Sequence, residues 1–420
     1  MSTISNEPGS VWRLPAMWLL LAYALSGFTG FFVTISALPA WLASQGTPES
    51  LTGLVTTALL VVTVVTQAMV PRLERSLGLA TTLGAGALAL GAPALLLLVD
   101  DGFGWVLAIS AVRGIGFGIL TVLGAMLAAR IVPPARRGEA IGIFGLAAAL
   151  PNLFAVAGGV ALVTAERFGI VAVLGAAPLL GLLVVRHLAR AADPEAGGDA
   201  DRRGDRPGDR DGERLARRAA RIAALGPAAV LMVVTLTSGG FMTYLPIARP
   251  EGALASVGLL LWGTTAALGR WRSGVLADRF GLERLLPAAS GLNVVGIGTV
   301  ALGLQLEGLA GWTVTLAGST LLGAGYGAVQ SLTLVAAFEQ ARHRQPATVS
   351  AVWNIGFDAG LALGSGAVGL LTAVVSIPGA LALSGLLILA SIPLAIRVSL
   401  PVAQNSAPTR SPKVSSRGNE

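Results

Sequence analysis

Twelve apolar stretches of the chain are each long enough to cross a lipid bilayer as a helix. A helix needs about 20 predominantly apolar residues to span the hydrocarbon core. The stretches, called spans 1 to 12 below, lie at 15–42, 51–71, 78–99, 103–131, 139–164, 168–185, 225–247, 253–275, 284–305, 309–338, 347–373 and 378–399. Charged residues make up only 12% of the chain, against about 25% in soluble domains, so most of its surface must face lipid. The sequence therefore predicts an all-α polytopic membrane protein with twelve transmembrane helices.

The residue types that are rare or missing exclude several kinds of chemistry. The chain contains no Cys, which excludes disulfides and thiolate-bound metals. Its two His, His187 and His343, lie at a span end and in a polar connector, so no haem, copper or zinc site is expected in the membrane. Lys413 is followed by Val414, whereas a phosphate-binding loop needs Ser or Thr there. We therefore expect no cofactor, no metal and no enzyme activity.

Positive charge is distributed unevenly over the loops between the spans. If the N-terminus is inside the cell, the outer loops contain Arg167 and Arg249 as their basic residues, and nearly all other basic residues lie on the inner side. Short loops rich in Lys and Arg stay in the cytoplasm. We therefore expect a multi-pass protein of the inner (plasma) membrane with both termini cytoplasmic. The net charge of +7 is then a topology signal, and no nucleic-acid partner is expected.

One long polar stretch divides the chain between spans 6 and 7. Residues 193–218 are rich in Asp, Glu, Arg, Gly and Pro, a composition that cannot bury enough apolar surface to fold. The basic run at 214–225 is predicted to form a short amphipathic helix on the membrane surface. The predicted units are an N-terminal six-helix bundle, a disordered linker, a C-terminal six-helix bundle and a disordered tail, at 1–185, 186–224, 225–400 and 401–420.

The two halves of the chain repeat one another. Gly116-Phe117-Gly118 in span 4 corresponds to Gly325-Tyr326-Gly327 in span 10, and Phe144 in span 5 corresponds to Trp353 in span 11. Two repeats of six helices in the same orientation are one known plan of secondary transporters, with the substrate site between the repeats near the middle of the membrane. The sequence therefore predicts two pseudo-symmetric six-helix bundles.

The strongest local motif runs Gly274-Val-Leu-Ala-Asp278-Arg279-Phe-Gly281, between spans 8 and 9. It resembles the signature loop G-x-L-A-D-R-x-G of the major facilitator superfamily. Gly274 would let two helix ends approach closely, and Gly281 would permit a tight turn. The resemblance implies a cytoplasmic gating loop, in which Asp278 hydrogen bonds a neighbouring helix N-terminus or pairs with Arg until the protein changes state. The loop at 71–78 keeps an acid and an Arg but departs from the pattern.

The segment Arg113–Gly118 in span 4 resembles a second motif of the family, whose Arg is implicated in proton-coupled transport. An Arg deep in a transmembrane helix is costly unless it faces water or a partner. Two interpretations remain open: a role in transport, or a structural Arg tied to backbone carbonyls. Gly114 and Gly118 form a stripe of small residues, which favours close helix packing.

A second deep charge lies in span 11. Asp358 is near the middle of the span, and Asn354 precedes it by four residues, which places both on one face of a helix. An ionisable residue at this depth is by default a functional candidate. As a hypothesis, Asp358 takes up and releases a coupling proton. The alternative is a structural hydrogen bond between helices.

The resemblance as a whole implies a secondary transporter similar to bacterial drug–proton antiporters, associated with efflux and multidrug resistance. Its expected partners are a small, partly apolar substrate, protons and the lipid bilayer, and it is expected to be a monomer. Spans 1, 4, 7 and 10 would line a central cavity between the bundles. The substrate and proton pathway is predicted to contain Thr34, Arg113, Asn152, Tyr244, Gln330, Trp353, Asn354 and Asp358.

Two alternatives stay open. Antiporters of the family often carry a Pro in a span 5 motif where this chain has Ala155, with Pro151 one turn earlier. This departure keeps a proton-coupled importer of a small metabolite as an alternative to export. From another class, the protein could be a membrane sensor that no longer transports.

Overall fold

The structure is a computed structural model that describes residues 14–133, 136–192, 210–250, 253–341 and 345–400. Within these ranges, the side chains at 137–139, 141–142, 210–213, 278, 346 and 347 are outside the description.

Helices form at all twelve predicted spans, which confirms the predicted fold class. Spans 1 to 6 consist of Pro15–Ile35 with Ala37–Ser44, Glu49–Leu77, Leu79–Leu95, Phe103–Arg130, Arg137–Thr164, and Phe168–Gly175 with Leu182–Ala191. Spans 7 to 12 are Arg210–Ala248, Leu254–Phe280, Leu282–Gly303, Gly308–Gln340, Pro346–Thr372 and Ile377–Ser399. Consecutive spans alternate in direction. The end of the bundle where span 1 begins is called the Pro15 end, and the opposite end is called the Ser44 end.

Span 8 is less apolar than the other spans. In the described part of the chain, 11 helices are long and apolar enough to cross a membrane, and span 8 is not among them. Its 27 residues are sufficient in length, but Arg270, Arg272 and Arg279 lie in the half towards the Pro15 end. Charge is therefore concentrated at one end of this helix.

The start of span 7 differs from the prediction. The basic run at 214–225 is not a separate surface helix, because the helix of span 7 begins at Arg210 and continues through it. Ala220 and Ala224 are buried in a cluster with Ala337 and other small residues near the ends of spans 10 and 11. Their small side chains allow this part of the helix to pack within the bundle. Of the predicted linker, residues 193–209 lie outside the described part of the chain.

The packing of the two halves follows the sequence repeat. In the first half, span 4 packs on spans 2 and 3, and span 1 packs on span 5. In the second half, span 10 packs on spans 8 and 9, and span 7 packs on span 11. Each pair in one half has its counterpart in the other. The chain therefore forms two six-helix bundles of the same plan.

Glycines bring the backbones of paired helices into contact. A Cβ at Gly323 or Gly327 in span 10 would collide with the carbonyl oxygen of Trp262 or Ala266 in span 8. Gly114 of span 4, the counterpart of Gly323, lies in the same way against Leu59 of span 2. Lipid tails provide no hydrophobic drive for helices to associate, so close packing of small residues holds membrane helices together. The fold therefore requires glycine at these positions, because a larger side chain would push the paired helices apart.

We expect Gly327→Leu to prevent or weaken folding, because the added side chain would separate spans 8 and 10. Overpacking of this kind costs about 1–3 kcal/mol or more. The measurement is the yield of monodisperse protein and its melting temperature in detergent. Gly298→Leu is the control, because a Cβ at Gly298 meets nothing within 4 Å. Equal stability of the two variants would contradict the role assigned to Gly327.

Candidate functional site

The buried carboxyl of Asp358 joins the two halves of the protein. Asp358 in span 11 is 5% exposed, and its Oδ2 accepts a hydrogen bond of 2.7 Å from Nε2 of Gln67 in span 2. The same nitrogen is 3.2 Å from the hydroxyl of Thr121 in span 4 and donates to it. A continuous polar chain therefore runs from span 4 through span 2 to span 11.

The partner of Asp358 is a neutral amide. Within the described residues Asp358 forms no salt bridge, although Tyr326 of span 10 is close enough for electrostatic interaction. A Gln side chain carries both a donor and an acceptor. Gln67 can therefore donate to the carboxylate form of Asp358 and, with its amide turned, accept from the protonated form. This geometry suits a carboxyl that changes its protonation state.

Arg270 adds a cation to this region. It lies in span 8, on the surface of the protein, and is within electrostatic range of Tyr326. The hydroxyl of Ser331 in span 10 donates a 3.0 Å hydrogen bond to the Arg270 carbonyl. Spans 8, 10 and 11 thus bring a cation, a phenol and a carboxyl to one region of the second half.

Arg113 lies apart from Asp358, within the first half. It is fully buried, and its Nη2 donates to the Gly30 carbonyl at 2.7 Å and to the Thr34 hydroxyl at 2.9 Å. Its Nη1 donates to the carbonyl of Gly175 at 3.4 Å. The guanidinium therefore ties span 4 to spans 1 and 6 through backbone carbonyls, which is the arrangement of the structural alternative.

Tyr244 lies where the two halves meet at the Ser44 end. Its hydroxyl is 3.1 Å from the carbonyl oxygen of Glu49 and 3.2 Å from that of Ser365, and it can donate to either. Nearby, the hydroxyl of Thr57 in span 2 donates to the Ala362 carbonyl in span 11 at 2.7 Å. These contacts close the Ser44 end of the interface between the halves.

The interface between spans 2 and 11 at this end is tight at the level of the backbone. A Cβ at Gly53 of span 2 would collide with the carbonyl of Ser365 in span 11. A Cβ at Gly366 would be 2.7 Å from the hydroxyl of Thr57. Opening the Ser44 end would therefore separate backbones that are now in contact.

Four other residues of the predicted pathway differ in their burial and in their hydrogen-bond partners. Trp353 is buried and its indole N–H donates to Thr333 of span 10 at 3.1 Å. Gln330 is buried in span 10, and Asn152 of span 5 is half-buried with an amide oxygen that has no partner among the described residues. Asn354 is exposed and donates to Ser350 of its own helix. In the continuous helix Pro346–Thr372, Asn354 lies one turn from Asp358 on the same face, as expected, but it is exposed and bonds within its own helix rather than to Asp358.

The predicted gating loop shows one expected feature and lacks another. Gly281 has φ +83 and ends span 8 in a tight turn, as predicted. Around Gly274, a Cβ would meet nothing within 4 Å, so the close helix approach expected there is not present. Arg279 is exposed, with its guanidinium carbon 5.4 Å from the ring centre of Phe280. The side chain of Asp278 lies outside the description, and its latch contact stays a prediction.

An ion pair forms at the equivalent segment of the first half. Glu74, at the end of span 2, accepts a 2.7 Å bond from Nη1 of Arg130 at the end of span 4. This loop was the weaker match in sequence. Its acid and the Arg of a neighbouring span nevertheless make the contact that the motif implies, at the Pro15 end.

Each half contains a cluster of aromatic rings at equivalent positions. In the first half, Phe31 and Phe117 stack with ring centres 3.6 Å apart. In the second half, Tyr326, the counterpart of Phe117, lies 4.9 Å from Trp262. All four rings are buried, so the clusters form part of the packed core of each bundle.

Comparison with known proteins identifies the family. A sequence profile described as the Major Facilitator Superfamily matches residues 19–350, which covers spans 1 to 10 and the start of span 11. The chain belongs to the major facilitator superfamily. No curated protein sequence matches it.

Solved structures of this superfamily share the fold of the chain. A bacterial homolog of the human lysosomal transporter Spinster, inward-facing and unoccupied, is 15% identical over 93% of this chain and 96% of its own, with a TM-score of 0.68. The inward open xylose transporter XylE from E. coli is 13% identical over 93% of this chain and 97% of its own, with a TM-score of 0.66. Membership of this superfamily makes the protein a membrane transporter rather than an enzyme.

Two polar residues of the candidate site were not predicted from the sequence. Gln67 is an amide within the apolar run of span 2, and Arg270 lies well inside span 8. Both could have been identified as candidates, because any polar group within a transmembrane helix requires a partner or water. The hydrogen bond between Gln67 and Asp358 could not be predicted, because nothing in the sequence relates span 2 to span 11.

We expect Arg113→Ala to lower the stability of the folded protein by about 1–3 kcal/mol, because it removes the bonds that join spans 1, 4 and 6. The measurement is the melting temperature in detergent, with Arg397→Ala as the control, since Arg397 is exposed at the end of span 12. An Arg113→Ala protein of unchanged stability that fails to transport would instead place Arg113 in the transport pathway.

Proposed function

We propose that the protein is a proton-coupled efflux transporter that exports a small, partly apolar molecule by alternating access. The observation that carries this proposal is the buried carboxyl of Asp358, bonded across the interface between the halves to Gln67. A group that both titrates and bridges the moving parts can couple proton transfer to the change of state. The substrate would bind between the bundles.

The Asp358–Gln67 bond must break when the Ser44 end opens. A bare carboxylate left in an apolar interface is costly, whereas a protonated carboxyl carries no net charge. In an exporter driven by the inward proton gradient, Asp358 takes up its proton while the Ser44 end is open to the outside, and the loss of charge lowers the cost of returning the carboxyl to the interface as that end closes. Release of the proton to the cytoplasm, with the Ser44 end closed, restores the carboxylate and its hydrogen bond from Gln67.

The chemistry around Asp358 supports a partly apolar substrate that carries charge. Tyr326 and Trp262 are buried against one another and would offer aromatic surface once the bundles separate, and Arg270 offers a cation within range of Tyr326. Gln330, Trp353 and Asn152 remain candidates for polar contacts with the substrate. We propose the membrane orientation that the Arg distribution predicts, with both termini and the Pro15 end in the cytoplasm of the inner membrane, and a monomer as the working unit.

Proton-coupled import of a small metabolite is the second candidate. The observation that favours it is Ala155 in span 5, where the antiporters of the superfamily often carry Pro. The similar fold of XylE, described as a xylose transporter, is compatible with import. A resistance screen over toxic compounds, with and without a protonophore, followed by counterflow in oriented vesicles, decides between the two directions.

We expect Asp358→Asn to abolish transport driven by a pH gradient, because the amide cannot carry the proton. Exchange of labelled for unlabelled substrate needs no net proton movement and should persist. Both activities are measured in proteoliposomes with a substrate from the resistance screen. Asn354→Ala is the control, one turn away and exposed. Unchanged gradient-driven transport in Asp358→Asn would overturn the proposed role.

We expect Gln67→Leu to change the pH profile of transport and to slow transport about tenfold or more, because it removes a hydrogen bond to an ionisable group worth about 1.5–3 kcal/mol. The readout is the initial rate of gradient-driven transport between about pH 5 and 9, the range in which a coupling group must titrate. Gln305→Leu is the control, because Gln305 lies just after the helix of span 9 and its side chain bonds to the Ala301 carbonyl at the end of that helix. A uniform loss of rate with an unchanged pH profile would contradict the coupling of Gln67 to Asp358.

A further inference from the structure

A cleft of about 610 Å³ opens at the Pro15 end of the first half. It lies between the last turns of spans 2, 4 and 6 and the first turn of span 3. Its charged lining consists of Glu74, Arg130, Arg186 and Arg190. This cleft is separate from the Asp358 region, which lies between the halves.

The lining of the cleft has a net positive charge. Glu74 is already paired with Arg130 at 2.7 Å. Arg186 and Arg190 are one turn apart on the last helix of span 6, and both are exposed. Within the described residues, neither forms an ion pair. Two guanidinium groups are thus held at the mouth of the cavity, and the acid among its described lining residues, Glu74, is already paired with Arg130.

The remaining wall of the cleft adds to this charge. Span 3 begins at Leu79, directly after Gly78, which has φ +80. Leu79, Ala80 and Thr81 line the cleft, and the first amide N–H groups of a helix carry partial positive charge. An anionic group in the cleft would meet the guanidinium groups on one side and these amides on the other.

The cleft lies at the level in the membrane at which lipid headgroups are expected. Its lining residues are the first or last residues of four apolar spans, so they lie where the hydrocarbon core meets water. Below the charges, the surface is apolar. Leu182, four residues before Arg186 on the same helix face, is 36% exposed, and Leu183 is 76% exposed. A cationic cleft above exposed leucines suits a ligand with an anionic head and apolar tails.

We propose that this cleft binds the phosphate headgroup of an anionic phospholipid, with its acyl chains along Leu182 and Leu183. Basic pockets between transmembrane helices are suited to phospholipid headgroups, and Arg binds phosphate through two parallel hydrogen bonds. The bound lipid holds the ends of spans 2, 3, 4 and 6 together. The site is independent of the proposed transport function.

The test is thermal unfolding of the full chain in detergent, titrated with short-chain phosphatidylglycerol and, in parallel, with phosphatidylcholine. We expect a saturable rise of about 2–4 °C with phosphatidylglycerol and a smaller one with phosphatidylcholine. The double variant Arg186→Gln/Arg190→Gln should lose most of the phosphatidylglycerol response. Native mass spectrometry should show one fewer retained anionic lipid for this variant.

The control variant removes two Arg side chains from the Pro15 end of the second half. Arg284 and Arg397 are exposed at the start of span 9 and the end of span 12, and Arg284→Gln/Arg397→Gln should keep the full response. Equal loss in both double variants would show diffuse attraction and overturn the site. If Arg186→Gln/Arg190→Gln does not fold, Arg190→Gln alone is measured against Arg397→Gln by the same criterion.

A third arm separates a lipid from a free phosphate compound. Glycerol 3-phosphate carries the headgroup chemistry without acyl chains. We expect it to produce no shift at the concentration at which phosphatidylglycerol saturates. A shift of the same size would mean that the cleft takes a soluble phosphate, and it would overturn the assignment to lipid.

Discussion

The absence of water from the bilayer core is the constraint on which this structure depends. Every backbone group must be paired within its own helix, so the spans are helical whatever their other properties. Helices in lipid then associate through close packing of small residues. Gly323 and Gly327 of span 10, and Gly114 of span 4, show this directly, since their backbones lie against the carbonyls of the neighbouring helix. The repeat of these glycines in both halves gives the two bundles the same plan.

The same constraint governs the two deep charges, but they meet it in different ways. Arg113 donates inside one bundle, from its two terminal nitrogens to the carbonyls of Gly30 and Gly175 and to the Thr34 hydroxyl, while its Nε has no partner among the described residues. Its partners belong to the same rigid unit and need not separate. Asp358 takes its hydrogen bond from Gln67, in the other bundle. The proposed alternating access would break this contact in each cycle, so Asp358 rather than Arg113 is the residue that we propose as the proton carrier.

Much of the fold was predictable because the physical signals are local. The length of each apolar run predicts a span, the repeat of Gly116 and Gly325 predicts two bundles, and Gly281 predicts a turn that the structure contains. The site was predictable only in part. Asp358 and Tyr244 stand out as polar groups in apolar helices. Their partners Gln67 and Glu49 lie in the opposite half, and Asn354, on the predicted face of Asp358, is exposed.

By itself the sequence determined that the chain crosses the membrane, that it does so in two similar halves, and that Arg113 and Asp358 lie deep within it. These properties follow from composition and spacing, which act within one helix or one repeat. Only the tertiary structure decided which charge remains inside a bundle and which joins the two. It also continued span 7 through the basic run to Arg210 and gathered Arg130, Arg186 and Arg190 around one cleft. These outcomes depend on which helices pack together, and residues far apart in the chain carry no local sign of that.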